Sequence, residues 1–140
     1  MNGRFFLDTN IFVYSFDSSA PAKAKRAEQL ISKALTSQKG VVSYQVVQEF
    51  FDVALRRFAQ PMKTSEAEQY LGTVFRPLLK AHSSTALYVD ALRLQNATNL
   101  SWYDALIVSS AIQANCDVIY TEDLQNEQKF GPLLVKNPFA

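Results

Sequence analysis

The sequence predicts an α/β fold built on a parallel sheet. Short apolar runs at residues 5–7, 41–43 and 118–120 are typical of strands that are buried on both faces. Stretches with apolar residues at helical spacing separate these runs, and such alternation favours a parallel sheet with right-handed crossovers. At 140 residues and 48% hydrophobic content, the chain is long enough for a single domain, 1–140, with a substantial core.

The charge balance narrows the possible modes of nucleic-acid binding. The formal net charge is +1, from 14 basic and 13 acidic residues, which excludes binding by bulk charge but allows a local basic patch. The basic residues considered as phosphate contacts could equally well form a solvated helix face. The candidate phosphate contacts are Lys23, Lys25, Arg26, Arg56 and Arg57.

The chain carries one cysteine, Cys116, and one histidine, His82. It therefore forms no internal disulfide, which fits a reducing compartment, and it lacks the ligands of a Cys/His zinc site. No secretory signal and no apolar run of membrane-spanning length are present, so we expect a cytoplasmic protein without a membrane partner.

The first predicted strand, at 5–7, ends in Asp8, Thr9 and Asn10 before apolar residues resume at Ile11. Asp, Thr and Asn are turn and helix N-cap residues, so this stretch indicates a strand, a turn and a helix. Ligands of open α/β sheets bind beyond the carboxyl ends of the strands, which makes Asp8 a candidate active-site residue. The alternative is that Asp8 only caps the following helix.

The next unit of the chain contributes a second acid. Pro21 and the apolar spacing after it predict a helix that ends near Gly40, followed by a strand at 41–43. Ser43 can then cap a helix of about 44–59. Glu49 lies on a partly apolar face of this helix, where a carboxylate needs a partner, although it could also lie at the flank and reach solvent.

The middle of the chain is interpreted from its breaks and caps. Pro61 interrupts the chain, and residues 65–68 form a capping box that begins a helix through Phe75. Residues 77–81 are predicted as a third strand. The next helix begins at Ser83 and Ser84 and ends at 96–99.

The stretch 101–112 is the second informative segment. Ser101 is a good N-cap and Asp104 follows three residues later, so Asp104 could simply complete a capping box. Asp104 also begins the most apolar helical stripe of the chain, and both roles place the acid at the helix N-terminus. Small residues in this helix allow it to pack tightly on a sheet.

A later segment, 116–123, repeats the opening pattern of a short apolar strand followed by a turn with an acid. Asp123 therefore stands to this strand as Asp8 stands to the first, unless Thr121 and Asp123 are only turn residues. Residues 133–135 are predicted as a fifth strand at the sheet edge.

Strand ends and early helical turns share one edge of a parallel sheet, so Asp8, Glu49, Asp104 and Asp123 can converge. Four carboxylates in one cleft repel one another unless a cation neutralises them. An all-oxygen site suits Mg²⁺ or Mn²⁺ rather than zinc. Carboxylate-held Mg²⁺ activates water for in-line attack on a phosphodiester and needs no protein nucleophile.

Four segments resemble the motifs of PIN-domain ribonucleases, most of all those of the VapC toxins of toxin–antitoxin pairs. They are Leu7-Asp8-Thr9-Asn10 and the stretches 43–49, 102–107 and 120–124. The resemblance implies a three-layer α/β/α sandwich with a mostly parallel sheet of about four to five strands. It also implies cleavage of RNA, a homodimer and a small antitoxin partner. The residues that it implies for Mg²⁺ or Mn²⁺ binding and catalysis are Asp8, Glu49, Asp104 and Asp123, with Asn10, Ser43 and Thr121 in support and Glu122 as a substitute for Asp123.

Three other interpretations remain open. A haloacid-dehalogenase-like phosphatase would carry a second Asp where this chain has Asn10. A receiver domain would pair acids near the first strand end and place a Lys at a late strand end, where this chain has Thr121. In a non-catalytic α/β interaction module, the four acids would be unrelated caps and surface groups.

An aromatic group near the N-terminus is the candidate partner surface. Phe12, Tyr14 and Phe16 could form part of the core or line a groove for a partner. Following the resemblance, we expect the antitoxin to bind exposed apolar surface near the N-terminal helices.

Overall fold

The structure is a computed structural model that describes residues 2–140 and has helices flanking a six-stranded sheet. The strands are β1 (Phe5–Leu7), β2 (Gly40–Ser43), β3 (Leu79–Ala81), β4 (Val118–Tyr120), β5 (Lys129–Phe130) and β6 (Leu133–Lys136). The helices are α1 (Thr9–Tyr14), α2 (Pro21–Ser37), α3 (Tyr44–Ala54), α4 (Thr64–Tyr70), α5 (Arg76–Leu78), α6 (Thr85–Ala97) and α7 (Trp102–Gln113), with a π-helical turn (Leu71–Phe75) between α4 and α5. This architecture confirms the predicted α/β class.

The order of the strands places β1 at the centre of the sheet. The order is β3-β2-β1-β4-β6-β5, and every pair is parallel except β5 with β6. The chain builds outward from β1 through β2 to β3 and then returns to add β4 on the other side of β1. The carboxyl ends of β1 and β4 therefore flank the switch point where open α/β sheets bind ligands.

Burial explains why the central strand is continuously apolar. All three residues of β1 are buried, as its place between two parallel neighbours requires. Residues 105–111 of α7 are also all buried, and their small side chains allow α7 to approach the sheet and α6 closely. The helix that carries Asp104 is consequently packed against other elements along most of its length.

A cluster of aromatic rings joins the helices beside the sheet. Phe50 of α3 lies at its centre and stacks on Tyr70 at 5.1 Å between ring centroids. Phe12 of α1 contacts Phe75 at 4.9 Å and Phe50 at 6.4 Å. These contacts fix α1 against α3, the two helices that follow β1 and β2.

Three predictions about the strands and helices need correction. The segment 133–135 is not an edge strand: β6 lies between β4 and β5, because a turn at Gly131 (φ +57°) folds β5 back as the antiparallel edge. The third strand is shorter than 77–81, since Pro77 lies in the helical turn α5 and only β3 pairs with β2. Helix α3 ends at Ala54 rather than near 59, where the chain turns and brings Phe58 against Phe50.

The capping box of α4 also differs from the predicted one. The carboxylate of Glu66 accepts a hydrogen bond from the Lys63 backbone amide at 3.0 Å, so the helix begins earlier than 65. The predicted caps Ser43, Ser84 and Ser101 each accept a bond from the first turn of their helices. In the part of the chain that the structure describes, none of the helices combines the length and apolarity needed to cross a membrane.

Candidate active site

Asp8 is buried at the carboxyl end of β1 and caps α1. Its Oδ1 accepts a hydrogen bond from the Thr9 backbone amide at 2.7 Å, and its Oδ2 accepts one from the Thr121 hydroxyl at 2.7 Å. The Asp8 backbone amide donates to the Tyr120 carbonyl at 3.1 Å, which extends the pairing of β1 with β4. The capping role and the position at the switch point therefore coexist in one residue.

The electrostatic environment of Asp8 is that of a carboxylate among other carboxylates. The pKa of Asp8 is raised to about 6: burial is the largest cause, the hydrogen bonds from Thr121 and Thr9 oppose the rise, and the nearby Asp123 and Glu49 carboxylates contribute to it. A group in this position resists ionisation unless a positive charge lies nearby. Asp8 therefore combines the N-cap of α1 with a carboxyl group whose pKa is raised by its surroundings, which makes it a candidate for a functional residue.

Glu49 lies in α3, one helix turn and a half beyond the end of β2, and is half-buried. The Thr9 hydroxyl donates to its Oε1 at 2.7 Å, and the Gln45 amide donates to its Oε2 at 3.3 Å. Glu49 therefore faces the start of α1 rather than the solvent-exposed flank of α3. Sequence reasoning missed Thr9 because this residue lies 40 positions from Glu49. It also missed Gln45, which could have been found as the residue one helical turn before Glu49 on the same face of α3.

Asp104 lies in the first turn of α7 and is half-buried. Its backbone amide donates to the Ser101 hydroxyl at 3.2 Å, as expected for an N-cap. Burial raises the pKa of the Asp104 carboxyl, a hydrogen bond from Ser101 lowers it, and the Asp123 carboxylate raises it. Asp123 therefore acts on both Asp8 and Asp104, which places the three acids in one electrostatic neighbourhood.

Asp123 is exposed at the mouth of the cleft and is oriented by two polar neighbours. The Asn10 amide nitrogen donates to its Oδ2 at 3.1 Å and lies 3.4 Å from the Thr121 hydroxyl oxygen. The same Thr121 hydroxyl accepts from the Asp123 backbone amide at 3.1 Å while donating to Asp8. Thr121 thus connects the acid after β1 with the acid after β4.

Glu122, the other candidate for the position after β4, points to different partners. It accepts hydrogen bonds from the Tyr14 hydroxyl at 2.6 Å and from the Lys23 ammonium at 2.7 Å. Lys23 also lies 4.6 Å from the centre of the Tyr14 ring. These contacts lower the pKa of Glu122 and attach the turn after β4 to α1 and α2.

The donor set fits a hard divalent cation. The four acids and Asn10 offer only oxygen ligands, which Mg²⁺ and Mn²⁺ prefer. The side-chain oxygen of Asn10 is buried without a hydrogen-bond partner among residues 2–140, so the site contains an oxygen that a ligand could satisfy. Within the same residues, no three acidic, histidine or cysteine side chains are gathered closely enough to enclose an ion as they stand.

Three of the candidate phosphate contacts are engaged in ion pairs. Lys23 binds Glu122, and Arg56 lies 2.7 Å and Arg57 3.9 Å from the Asp52 carboxylate. Lys25 and Arg26 are exposed on α2. The assignment of any of the five to RNA stays a prediction.

Comparison with solved structures finds the same fold in toxin–antitoxin assemblies. A toxin–antitoxin complex from Klebsiella pneumoniae shares 18% identity over 95% of this chain and 96% of that chain, with a TM-score of 0.66. VapBC2 from Rickettsia felis, bound to a DNA fragment from its promoter, shares 18% identity over 95% of this chain and 97% of that chain, with a TM-score of 0.63. FitAcB from Neisseria gonorrhoeae shares 18% identity over 96% of this chain and 98% of that chain, with a TM-score of 0.61.

At these identities the structural likeness establishes the fold, and the family rests on the sequence. No curated protein matches the chain. The family model of the PIN domain matches residues 5–128, from β1 through the turn that carries Asp123. With nearly the whole chain matched in order, this protein belongs to the PIN domain family.

Proposed function

We propose that residues 1–140 form a single Mg²⁺- or Mn²⁺-dependent endoribonuclease domain, the VapC-like toxin of a type II toxin–antitoxin pair that acts in the cytoplasm. The observation that carries the proposal is the hydrogen-bond network at the carboxyl ends of β1 and β4, in which the Thr121 hydroxyl connects Asp8 with Asp123 and the Thr9 hydroxyl binds Glu49. Asp123 and Glu49 raise the pKa of Asp8, and Asp123 raises that of Asp104. PIN domains are generally nucleases that hydrolyse phosphodiester bonds, which agrees with this chemistry.

Each residue of the cleft has a distinct part in the proposal. Asp8, Glu49, Asp104 and Asp123 would hold the metal ion, which when bound lowers the pKa of water and offsets charge on the reacting phosphate. Thr121 positions Asp8 and the backbone of Asp123 through one hydroxyl. Asn10 orients the Asp123 carboxylate, and Ser43 fixes the start of the helix that carries Glu49.

The test of this function is cleavage of a single-stranded RNA by the purified protein in Mg²⁺ and in EDTA. We expect cleavage only with the metal, and we expect Asp104→Asn to reduce it by orders of magnitude because a metal ligand loses its charge. Asp90→Asn is the matched control, since Asp90 is exposed on α6 and accepts a bond from Gln113 at 3.0 Å. It should cleave like the wild type.

Two outcomes would contradict the nuclease proposal. One is cleavage in EDTA that equals cleavage in Mg²⁺, which would exclude a metal-dependent mechanism. The other is full activity of Asp104→Asn in preparations whose contaminating nuclease has been excluded by an inactive control. Cleavage of DNA but not RNA would keep the site and overturn the substrate.

The proposed antitoxin-binding surface is an apolar groove between α2 and the segment after α4. Its volume is about 450 Å³, and Phe16, Ile31, Leu35, Tyr70 and Val74 contribute to its lining. Phe16 is 45% exposed, whereas Phe12 is fully buried, so Phe12 belongs to the core, one of the two roles that the sequence left open for it. Phe12 is excluded because the short helix α1 turns it toward Phe50 and Phe75. One of the solved structures with the same fold is a toxin–antitoxin complex, which supports an antitoxin as the occupant.

The partner proposal is tested with the product of the small reading frame that we expect beside the gene for this chain. A bound antitoxin should raise the melting temperature by mass action, and Leu35→Glu should remove most of that rise because it places a charge in the groove. Leu55→Glu is the control, since Leu55 is exposed outside the groove. An equal rise with Leu35→Glu would show that the antitoxin binds elsewhere.

We also propose that the protein is a homodimer. Exposed Val89 and Leu92 on α6 provide apolar surface that a second copy could cover. Light scattering at micromolar concentration should give twice the mass of the chain, and the mass of one chain would contradict this proposal.

A further inference from the structure

A second cavity lies beside the acids, and none of the proposed metal ligands lines it. Its volume is about 260 Å³, below the roughly 300–1,000 Å³ of pockets for drug-sized ligands, so it suits one part of a larger molecule. It opens between the start of α3, the segment after β3 and the start of α7. The residues used below are Gln45, Gln48, His82, Tyr88, Trp102 and Tyr103.

The cavity is joined to the acid cleft through one side chain. The Gln45 amide donates to the Glu49 carboxylate at 3.3 Å and to the Tyr103 carbonyl at 3.3 Å. Tyr103 directly precedes Asp104 in α7. A group in the cavity would therefore lie next to whatever the acids act on.

Several aromatic side chains line the cavity. Tyr103 is 64% exposed and Tyr88 is 45% exposed, and the Tyr88 and Trp102 rings lie 6.2 Å apart. His82 packs edge-on to Tyr44 at 5.1 Å. No lysine or arginine lines the cavity among residues 2–140, so a phosphate group is not its natural occupant. Exposed rings beside amide side chains instead suit a flat, neutral, hydrogen-bonding group.

We propose that this cavity binds one unpaired nucleobase of the RNA, adjacent to the phosphate that is cleaved. The base stacks on the exposed ring of Tyr103 or Tyr88, and the amides of Gln45 and Gln48 contact its edge. Unpaired bases are recognised in this way, by aromatic stacking combined with hydrogen bonds to the base edge. The inference rests on the proposed nuclease function and adds the part of the site that selects sequence.

The test begins with nucleosides, which carry no phosphate and need no metal. In EDTA, saturation transfer from the protein to adenosine, guanosine, cytidine and uridine should be strongest for one base and should be lost in Tyr103→Ala. Tyr103→Phe should retain it, because the ring and not the hydroxyl stacks. Leu71→Ala is the control, since Leu71 is an exposed apolar residue outside this cavity.

Cleavage kinetics provide the second measurement. Tyr103→Ala should raise KM for single-stranded RNA by about 5- to 150-fold, the range expected from loss of one stacked base, and should lower kcat much less. Gln48→Ala should broaden the preference for the base beside the cleaved bond. Tyr103→Phe and Leu71→Ala should both keep the wild-type KM and cleavage pattern.

The outcomes separate the cavity from the nuclease. Base-selective transfer that Tyr103→Ala abolishes, in a protein that cleaves no RNA, would support the cavity and overturn the nuclease. Normal cleavage with unchanged KM and base preference in Tyr103→Ala, and no transfer to any nucleoside, would overturn the cavity proposal alone. A Tyr103→Ala protein that changes from dimer to monomer without changing nucleoside transfer would instead identify this face as a contact between copies, and would also overturn it.

Discussion

Replacing Asp8 by asparagine should lower RNA cleavage by orders of magnitude while leaving a folded protein. Asn keeps nearly the same volume, and its one side-chain oxygen can accept the bond from the Thr9 amide while its NH2 group donates to the Thr121 hydroxyl, so the turn after β1 should persist. It removes the most buried negative charge of the proposed metal site. The attacking water and the developing phosphate charge would then lose much of their cation stabilisation.

Melting curves should separate this chemistry from folding. Burial raises the pKa of Asp8 from 3.8 to about 6, so the folded state favours the protonated acid. In EDTA the wild type should therefore lose stability, on the order of 3 kcal/mol, as the pH rises from about 4 to about 6. Asp8→Asn has no such ionisation and should lack this part of the pH dependence. At neutral pH without metal it should be as stable as the wild type or more stable.

Adding Mg²⁺ should make the wild type more stable than Asp8→Asn. Mg²⁺ at 100 times its dissociation constant would stabilise the wild type by about 2.7 kcal/mol, and Asp8→Asn should gain much less. Asp90→Asn serves again as the control and should follow the wild type in both buffers. If Asp8 were only a helix cap, the variant would show no metal dependence that differs from the wild type, and a contaminant-free preparation would keep full cleavage.

Truncating Phe50 to alanine should cost about 3–5 kcal/mol of folding free energy, the range for deleting a large buried ring. Phe50 is fully buried and lies among the rings of Phe12, Phe16, Tyr70 and Phe75. A loss of this size is a large part of the roughly 5–15 kcal/mol that stabilises a typical domain. Urea unfolding at pH 7 measures it as a lower midpoint at similar slope.

The control for Phe50 is a ring of the same cluster that solvent reaches. Phe16 contacts Phe50 at 5.9 Å but is 45% exposed, so Phe16→Ala should cost less than half as much. Equal losses for the two variants would show that exposure does not set the contribution of a ring in this cluster. The prediction would also be wrong if Phe50→Ala unfolded at the wild-type urea concentration.

Much of the fold could be predicted because its causes are local. The apolar run of β1 and the caps Ser43, Ser84 and Ser101 lie where the sequence indicates, since burial on both faces and capping bonds depend on neighbouring residues. The hairpin β5–β6 was not predicted. Its two-residue strand β5 carries no periodic signal, and its pairing with β6 depends on a turn at Gly131.

For the candidate site, the acids could be selected from the sequence, but the contacts that support them could not. The four acids were selected from the sequence because each follows a strand or begins a helix, and membership of the PIN family now favours the nuclease over the phosphatase and receiver alternatives. Their supporting contacts could not be predicted in detail. The bond from Thr121 to Asp8 joins residues 113 positions apart, and the choice between Asp123 and Glu122 depends on where Lys23 and Tyr14 lie.

By itself the sequence determined the class of fold, the elements that end in acids and the all-oxygen chemistry that those acids can support. These follow from hydrophobic period, capping preference and residue type, which act over a few positions. Only the tertiary structure decided which side chains meet: Thr9 with Glu49, Thr121 with Asp8, and Gln45 between the acids and the aromatic cavity. The physical reason is that strand order and helix packing set these distances, and both depend on burying the whole apolar core at once.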